Sequence, residues 1–286
     1  MATLASRTAV NGGFVMRHEL EPLVLPDGTV QRLVDGGGGG IWNPTDFSAT
    51  LSIITSPDGP YADRDVAGGL LHYKYQRGSE QGKNAKLRAA IRQAVPVILL
   101  KKIRANTFFP LFPVYVVGDN PIAREFVIAL DESLRSVGDA TEMTPLERRY
   151  ADRLIRQRVH QPEFRARIML AYESRCTICS LRHAELLDAA HIIADGDDGG
   201  EPIVTNGLSL CKIHHAAYDR DLLGISADYA IHINARLLNE VDGPMLTYGL
   251  QKMHGQILTL PNRLSDRPSP DRLEERFSGF LALNAS

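Results

Sequence analysis

The chain has 286 residues, 44% of them hydrophobic and 23% charged, with a formal net charge of -2; that is enough apolar material to bury a core and enough length for two domains. Its longest apolar run, Val95 to Leu100, is far below the roughly 20 residues a membrane helix needs, and the opening MATLASRTAVNGGFVM lacks the cationic head, apolar stretch and small-residue cleavage site of a secretory signal. A soluble, cytoplasmic protein without a membrane partner is expected, and its 3 cysteines, clustered beside histidines in a reducing compartment, favour metal over disulfide chemistry.

In chain order, a low-complexity run from Gly36 to Gly40 precedes strand-like runs at Thr50 to Thr55 and Leu70 to Gln76. A helix follows at Asn84 to Gln93, then strands at Val95 to Ile103 and Leu111 to Val117. The pattern weakens from Asn120 to Met143. Thr144, Pro145 and Glu147 then form a capping box with proline at the first helical position, so a helix and a new domain are expected to start there. A further helix from about Pro162 to Tyr172 leads into the first cysteine. Basic residues concentrate in two stretches, Lys74 to Arg104 and Arg148 to Arg167, where phosphate neutralisation is plausible despite the near-neutral sum.

All the cysteines fall in CTICSLRHAELLDAAHIIADGDDGGEPIVTNGLSLCKIHHAAYD. Cys176 and Cys179 form a CxxC pair, and Cys211 and His214 repeat that spacing with histidine in the second place. Three thiolates and one imidazole at these spacings suit a closed tetrahedral Zn2+ site that holds together a region too small to build its own core.

That leaves His191, Asn206 and His215. Carried by AAHI, TNGLSLC and HHAAYD, the segment from about Phe164 to Leu223 resembles the HNH nuclease family, a ββα-metal fold. In that family the first histidine ends a strand, the asparagine lies in the connecting loop and the last histidine opens a helix. The resemblance implies that His191 is a general base, that Asn206 fixes the loop and orients His191, and that His215 binds a catalytic divalent cation, Mg2+ or Mn2+, distinct from the zinc. Phosphodiester hydrolysis needs such a base to activate water and a cation to neutralise developing charge. Many members carry an acid or histidine immediately before the first histidine, where this chain has Ala190. Asp188, on the same strand face as residue 190, and Asp219, on the same helical face as His215, are the alternatives for the second ligand, with Asp188 preferred.

In the N-terminal half, GPYADRDVAGGLLHYKYQRG, GKNAKLRAAIRQAVPVILLKKI and LFPVYVV resemble the SRA or YDG domain that binds modified cytosine. The resemblance implies a flipped base stacked between tyrosines and held at its pairing edge by an acid. Tyr61 and Asp65 map onto the first part of that pocket. Tyr73 and Tyr75 share one strand face and are alternatives for the second tyrosine, with Tyr75 favoured by the QRGS turn after it. Trp42 either lines the pocket or anchors a loop. Arg77, Lys83, Lys86 and Arg88 are the candidates for DNA backbone contacts.

These readings combine into an α+β chain. An SRA-like twisted β-barrel domain with helices is expected at 1–120, a linker at 121–143, and a zinc-stapled ββα-metal domain at 144–286 with its core at about 164–223. The implied function is a modification-dependent restriction endonuclease that reads 5-methylcytosine or 5-hydroxymethylcytosine in double-stranded DNA by base flipping and hydrolyses phosphodiester bonds nearby. The alternatives are a non-catalytic reader of modified DNA, or an HNH nuclease that reads another modification such as phosphorothioate. One such site per chain predicts a homodimer for double-strand breaks, through apolar residues after Leu222 such as Ile225, Ile231, Leu237, Met245, Ile257 and Leu258.

Overall fold

The computed structural model describes residues 1–55, 68–76, 82–135 and 144–284, together with the backbone of 64–66. It divides into two compact units, one of residues 1–8 and 13–162, the other of 9–12 and 163–286. No helix among the described residues is long and apolar enough to cross a membrane.

The first unit contains α1 (Ala2–Val10), β1 (Val15–Met16), β2 (Leu23–Val24), β3 (Val30–Gln31), β4 (Ile41–Trp42), β5 (Ser52–Thr55), β6 (Arg64–Val66) and β7 (Leu70–Lys74). After these come α2 (Lys83–Gln93), β8 (Val97–Arg104), β9 (Thr107–Asn120), β10 (Glu125–Ala129) and α3 (Pro145–Ile155). An 8-stranded sheet runs β4-β5-β8-β9-β10-β7-β6, with β1 added on β9, and curls into a half-barrel. Its only parallel pair among the described residues is β5 with β8. A parallel pair needs a crossover, and α2, which packs on β9, is part of it.

The first half of β8 is apolar on both faces because both are covered. Ile98 and Leu100 join a core with Leu4, Val15, Leu20, Val34 and Phe108, while Val97 and Leu99, which point the opposite way, are equally buried. On β7, Leu71 and Tyr73, with Tyr75 just beyond, face inward, while His72 and Lys74 share the Glu125 carboxylate, each at 2.6 Å. One difference from the sequence reading is the segment 121–143. It holds β10, a full member of the sheet between β9 and β7, where a linker is expected. The apolar run Phe126 to Leu130 is five residues between Glu125 and Asp131, too short for periodicity to separate it from loop. The capping box forms as expected, with the Thr144 N–H donating to Glu147 Oε2 at 2.8 Å. The helix it starts, α3, clusters with the first unit.

In the second unit, α4 (Gln161–Ala171) leads to the hairpin of β11 (Leu187–His191) and β12 (Gly207–Cys211), then α5 (Lys212–Asp219). This is the ββα order the resemblance implies. Beyond it, β13 (Leu223–Ile225) pairs with β14 (Ile231–Ile233), and α6 (Ala235–Asn239), α7 (Pro244–Gly249) and α8 (Pro270–Asn284) follow. α8 packs on β13 with Leu273, Phe277 and Phe280 buried. Gly224 makes that approach possible, since a Cβ there would lie 2.6 Å from the Phe280 ring. Of the apolar residues expected at an interface, Ile225, Ile231, Leu237 and Leu258 are buried in this unit, and Met245 and Ile257 are exposed.

Candidate active site and metal centre

The hairpin register sets up both sites. Leu187 pairs with Cys211 at one end of β11–β12 and His191 with Gly207 at the other, so the cysteines and the candidate base sit at opposite ends. Cys176 and Cys179 come from a tight turn in which the Ser180 N–H donates to the Cys176 carbonyl at 2.9 Å, with Ser180 at φ 61°. Cys211 ends β12 and caps α5, whose first turn carries His214.

The ligand atoms of Cys176, Cys179, Cys211 and His214 all lie within 4.8 Å of one another. The Cys179 and Cys211 sulfurs are 3.9 Å apart, and His214 Nδ1 stands 3.2 Å from Cys211 Sγ and 3.5 Å from Cys176 Sγ. Two sulfurs bound tetrahedrally at the usual zinc–sulfur length are about 3.8 Å apart, so the donor set fits zinc. The other ring nitrogen, Nε2, donates to the Gly249 carbonyl at 2.7 Å, which leaves Nδ1 with its lone pair toward the sulfurs. Without a cation, the four groups compete for protons. Burial opposes a charged His214, yet the sulfurs of Cys176 and Cys211 beside it raise it to about 10. The three thiols drive one another apart, with Cys211 pushed down and Cys179 up by their mutual hydrogen bonds. A central cation removes that competition for protons by taking every ligand deprotonated.

His215, the next residue along α5, faces the other way. Its Nδ1 lies 3.1 Å from Asp188 Oδ2 and its Nε2 lies 3.3 Å from Asp219 Oδ2. Both alternative carboxylates thus sit on this one ring, one per nitrogen. Asp188 also takes an ion pair from Lys212 Nζ at 2.5 Å. Burial works against the Asp188 carboxylate, but Lys212 and His215 outweigh it and hold it below the ordinary range. An imidazole binds a metal through one nitrogen while the other is oriented by a carboxylate. His215 therefore can share an ion with one aspartate and be aimed by the other.

His191 closes β11, half-buried, with the Phe164 ring stacked on it at 4.1 Å between centroids and 19° between planes. Its Nε2 is buried without a hydrogen-bond partner among the described residues. Burial lowers its pKa, opposed by Asp195 and assisted by the nearby charge of His215, so it is a neutral imidazole at neutral pH, able to accept a proton. Asn206, fully buried, acts on the chain just after it. Its Oδ1 accepts from the Ile193 N–H at 2.9 Å and its Nδ2 donates to the carbonyls of Ile193 at 3.0 Å and Glu201 at 3.1 Å. The asparagine thus clamps the loop by its backbone and does not touch the His191 ring.

The N-terminal candidates are placed differently. Tyr61 and Arg77 lie outside the described residues, and Asp65 is described only by its backbone, on β6 opposite Leu71. Tyr73 is 5% exposed and donates to the Gly40 carbonyl at 3.0 Å; a Cβ on Gly40 would lie 2.9 Å from that hydroxyl, which gives the end of the glycine run a steric reason. Tyr75 is 4% exposed, donates to Asp119, and packs between Phe126 and the Arg88 guanidinium. Trp42 is half-exposed, with its Nε1–H donating to the Arg32 carbonyl at 2.8 Å. Of the candidates for DNA backbone contacts, the described ones are engaged within the fold: Lys83 with Asp35 at 2.5 Å, Lys86 with the Pro44 carbonyl at 2.6 Å and Arg88 with Asp119 at 2.7 Å.

Phe164, Lys212 and the Gly249 carbonyl are site groups that sequence reasoning missed. An aromatic on a preceding helix, a lysine at a helix start and a backbone oxygen 35 residues from its histidine carry no local signature.

One comparison with known proteins places a match on the C-terminal segment. The model of the HNH endonuclease family, HNH_2, matches residues 176–226. No curated protein matches the chain. Among solved structures, the chain is similar to a modification-dependent TagI restriction endonuclease at 14% identity and a TM-score of 0.29, with 85% of each chain covered. It is similar to the SUVH5 SRA domain in complex with hemimethylated CG DNA at 20% identity and 0.25, covering 32% of this chain and 72% of that one. For the type IV phosphorothioation-dependent restriction endonuclease ScoMcrA the values are 16% and 0.22, with 63% and 52% covered. Residues 176–226, with their ββα order, their cysteine–histidine cluster and the histidines at the far end of β11 and in α5, form an HNH endonuclease domain, a module of metal-dependent DNA cleavage.

Proposed function

We propose that the protein is a modification-dependent restriction endonuclease in which the first unit reads 5-methylcytosine or 5-hydroxymethylcytosine in duplex DNA by flipping the base, and the second cuts nearby. The single observation that carries the cutting half is His215 bracketed by Asp188 and Asp219 with a neutral, half-buried His191 on the same hairpin–helix module. His215 and one of the two aspartates would hold a divalent cation, Mg2+ or Mn2+, which would supply charge neutralisation at the scissile phosphate and leaving oxygen. His191 takes a proton from the attacking water at Nδ1, since Nε2 is buried. Asn206 keeps the loop after His191 in one conformation, and the zinc cluster holds α5, and with it His215, against the hairpin.

The reading half rests on the sequence resemblance around Tyr61 and Asp65. Tyr73 and Tyr75 are packed and hydrogen-bonded within the fold. That same burial favours a second reading, in which the nuclease is kept and the reader takes another modification such as phosphorothioate. A chain with one such site makes a double-strand break as a homodimer, or by two successive nicks.

The test is incubation of plasmids carrying 5-methylcytosine, 5-hydroxymethylcytosine, phosphorothioate or no modification with the protein and Mg2+ or Mn2+. Cleavage of the cytosine-modified plasmids alone is expected. Cleavage of only the phosphorothioate plasmid transfers the reading to the second form, equal cleavage of all four removes the reader, and cleavage of none removes the nuclease.

A further inference from the structure

A histidine that must meet water at one nitrogen is normally held by a hydrogen bond at the other, which fixes its tautomer and its plane. Among the described residues, nothing gives His191 that device. Its Nε2 is buried and has no hydrogen-bond partner among the described residues, and the Asn206 amide reaches the backbone of Ile193 instead. What does meet the ring is the face of Phe164, 4.1 Å away and within 19° of parallel.

The surroundings are arranged around that contact. Phe164 is 2% exposed and projects from α4. Its neighbour Arg165 binds the helix to the chain leading into and through β11, donating to the carbonyls of Ala184 at 2.6 Å and Leu187 at 3.1 Å, and also to that of Gly12 at 2.8 Å. Across the hairpin from His191 stands Gly207, where a Cβ would lie 2.7 Å from Phe164 Cζ and 2.4 Å from Ile168 Cδ1. The Tyr172 hydroxyl donates to the carbonyl of that glycine at 3.1 Å. The missing side chain opposite His191 is thus the space the phenyl ring occupies.

We propose that Phe164 is the positioning residue for His191, setting the plane of the imidazole by face-to-face stacking where a hydrogen bond would ordinarily do so. The inference rests on His191 being the general base, and it assigns Phe164 no contact with DNA, water or metal. A ring free to rotate out of the attack line costs rate without costing affinity, and a misplacement of about 1 Å is worth on the order of 10²-fold.

The test uses the full chain, supercoiled plasmid carrying 5-methylcytosine, and Mg2+. In Phe164→Leu, which keeps an apolar side chain but removes the flat face, kcat for nicking falls up to about 10²-fold while KM, zinc content and thermal midpoint stay near wild type. Ile168→Val, on the same helix and against the same glycine but not against His191, keeps its kcat. A folded Phe164→Leu protein with wild-type kcat, or an equal loss in Ile168→Val, overturns the proposal. Should Phe164→Leu not fold, the wild-type chain decides by NMR: ring protons of His191 stacked under a phenyl face resonate upfield of a free histidine, and an ordinary position overturns the stack as the fixing element. Failure of the base assignment is separate, since it appears as undiminished cleavage by His191→Ala with the His191 resonance of the wild type still shifted.

Discussion

His214 and His215 are adjacent in the chain and belong to opposite kinds of site. The cluster around His214 is closed: its Nδ1 faces sulfurs, its Nε2 is satisfied by the Gly249 carbonyl, and the residue is 2% exposed. The ring of His215 is partly open to solvent, with both nitrogens facing carboxylates that a cation can draw on. A closed four-ligand set is what stability needs, and an open one is what catalysis needs. Two consecutive residues at the start of a helix point about 100° apart, which on the proposed reading lets one turn of α5 serve both.

The largest effect expected from breaking that contrast is on the closed side. Cys176→Ser or Cys211→Ser removes a thiolate from the cluster, and the C-terminal unit loses zinc and its cooperative fold, with cleavage abolished; metal analysis and circular dichroism read this directly. A folded, zinc-free wild-type protein would contradict it.

Next in size is the base. His191→Ala lowers the nicking rate by about 10²- to 10⁴-fold with zinc and thermal midpoint retained, because the side chain supports chemistry and not the cluster. The pH profile carries a sign of its own. Burial lowers the pKa of His191 below the ordinary 6.5, so the neutral, active form persists to lower pH, and the acid limb of the wild-type rate lies below that value. An acid limb above it would mean that His191 is not the group being protonated.

The open side gives a smaller and more graded response. Asp188→Asn and Asp219→Asn each raise the Mg2+ or Mn2+ concentration needed for half-maximal cleavage, on the order of 10- to 100-fold, with the residue that shares the ion at the upper end. Metal titration of nicking rates assigns the two roles, and a variant that titrates as wild type has no part in holding the ion.

Smallest is Tyr75→Phe. Loss of the hydroxyl that donates to Asp119 costs the first unit about 1–2 kcal/mol, read as a lower denaturation midpoint, with binding of modified duplex unchanged. A selective loss of binding would place the Tyr75 hydroxyl in the pocket.

Much of this was legible because it is local. The CxxC and CxxH spacings, the capping box at Thr144 and the order of strand, loop and helix around His191, Asn206 and His215 are short-range patterns, and each forms as spaced. The alternation that puts Tyr73 and Tyr75 on one face was legible too, but whether that face lines a pocket or a core depends on Phe126, Asp119 and Gly40, which come from distant strands and a loop. The same is true of Gly249 behind His214 and Phe164 against His191. β10 was missed because a continuous apolar run of five residues, Phe126 to Leu130, is too short for periodicity to set it apart from loop.

On the proposed reading, one turn of α5 serves two different metals in two different roles. Dialysis against EDTA followed by elemental analysis and plasmid cleavage tests it most directly. Zinc is expected to stay with the folded chain while cleavage disappears and returns with Mg2+ or Mn2+ alone; loss of zinc together with activity, restored only by zinc, would mean that a single metal serves both roles.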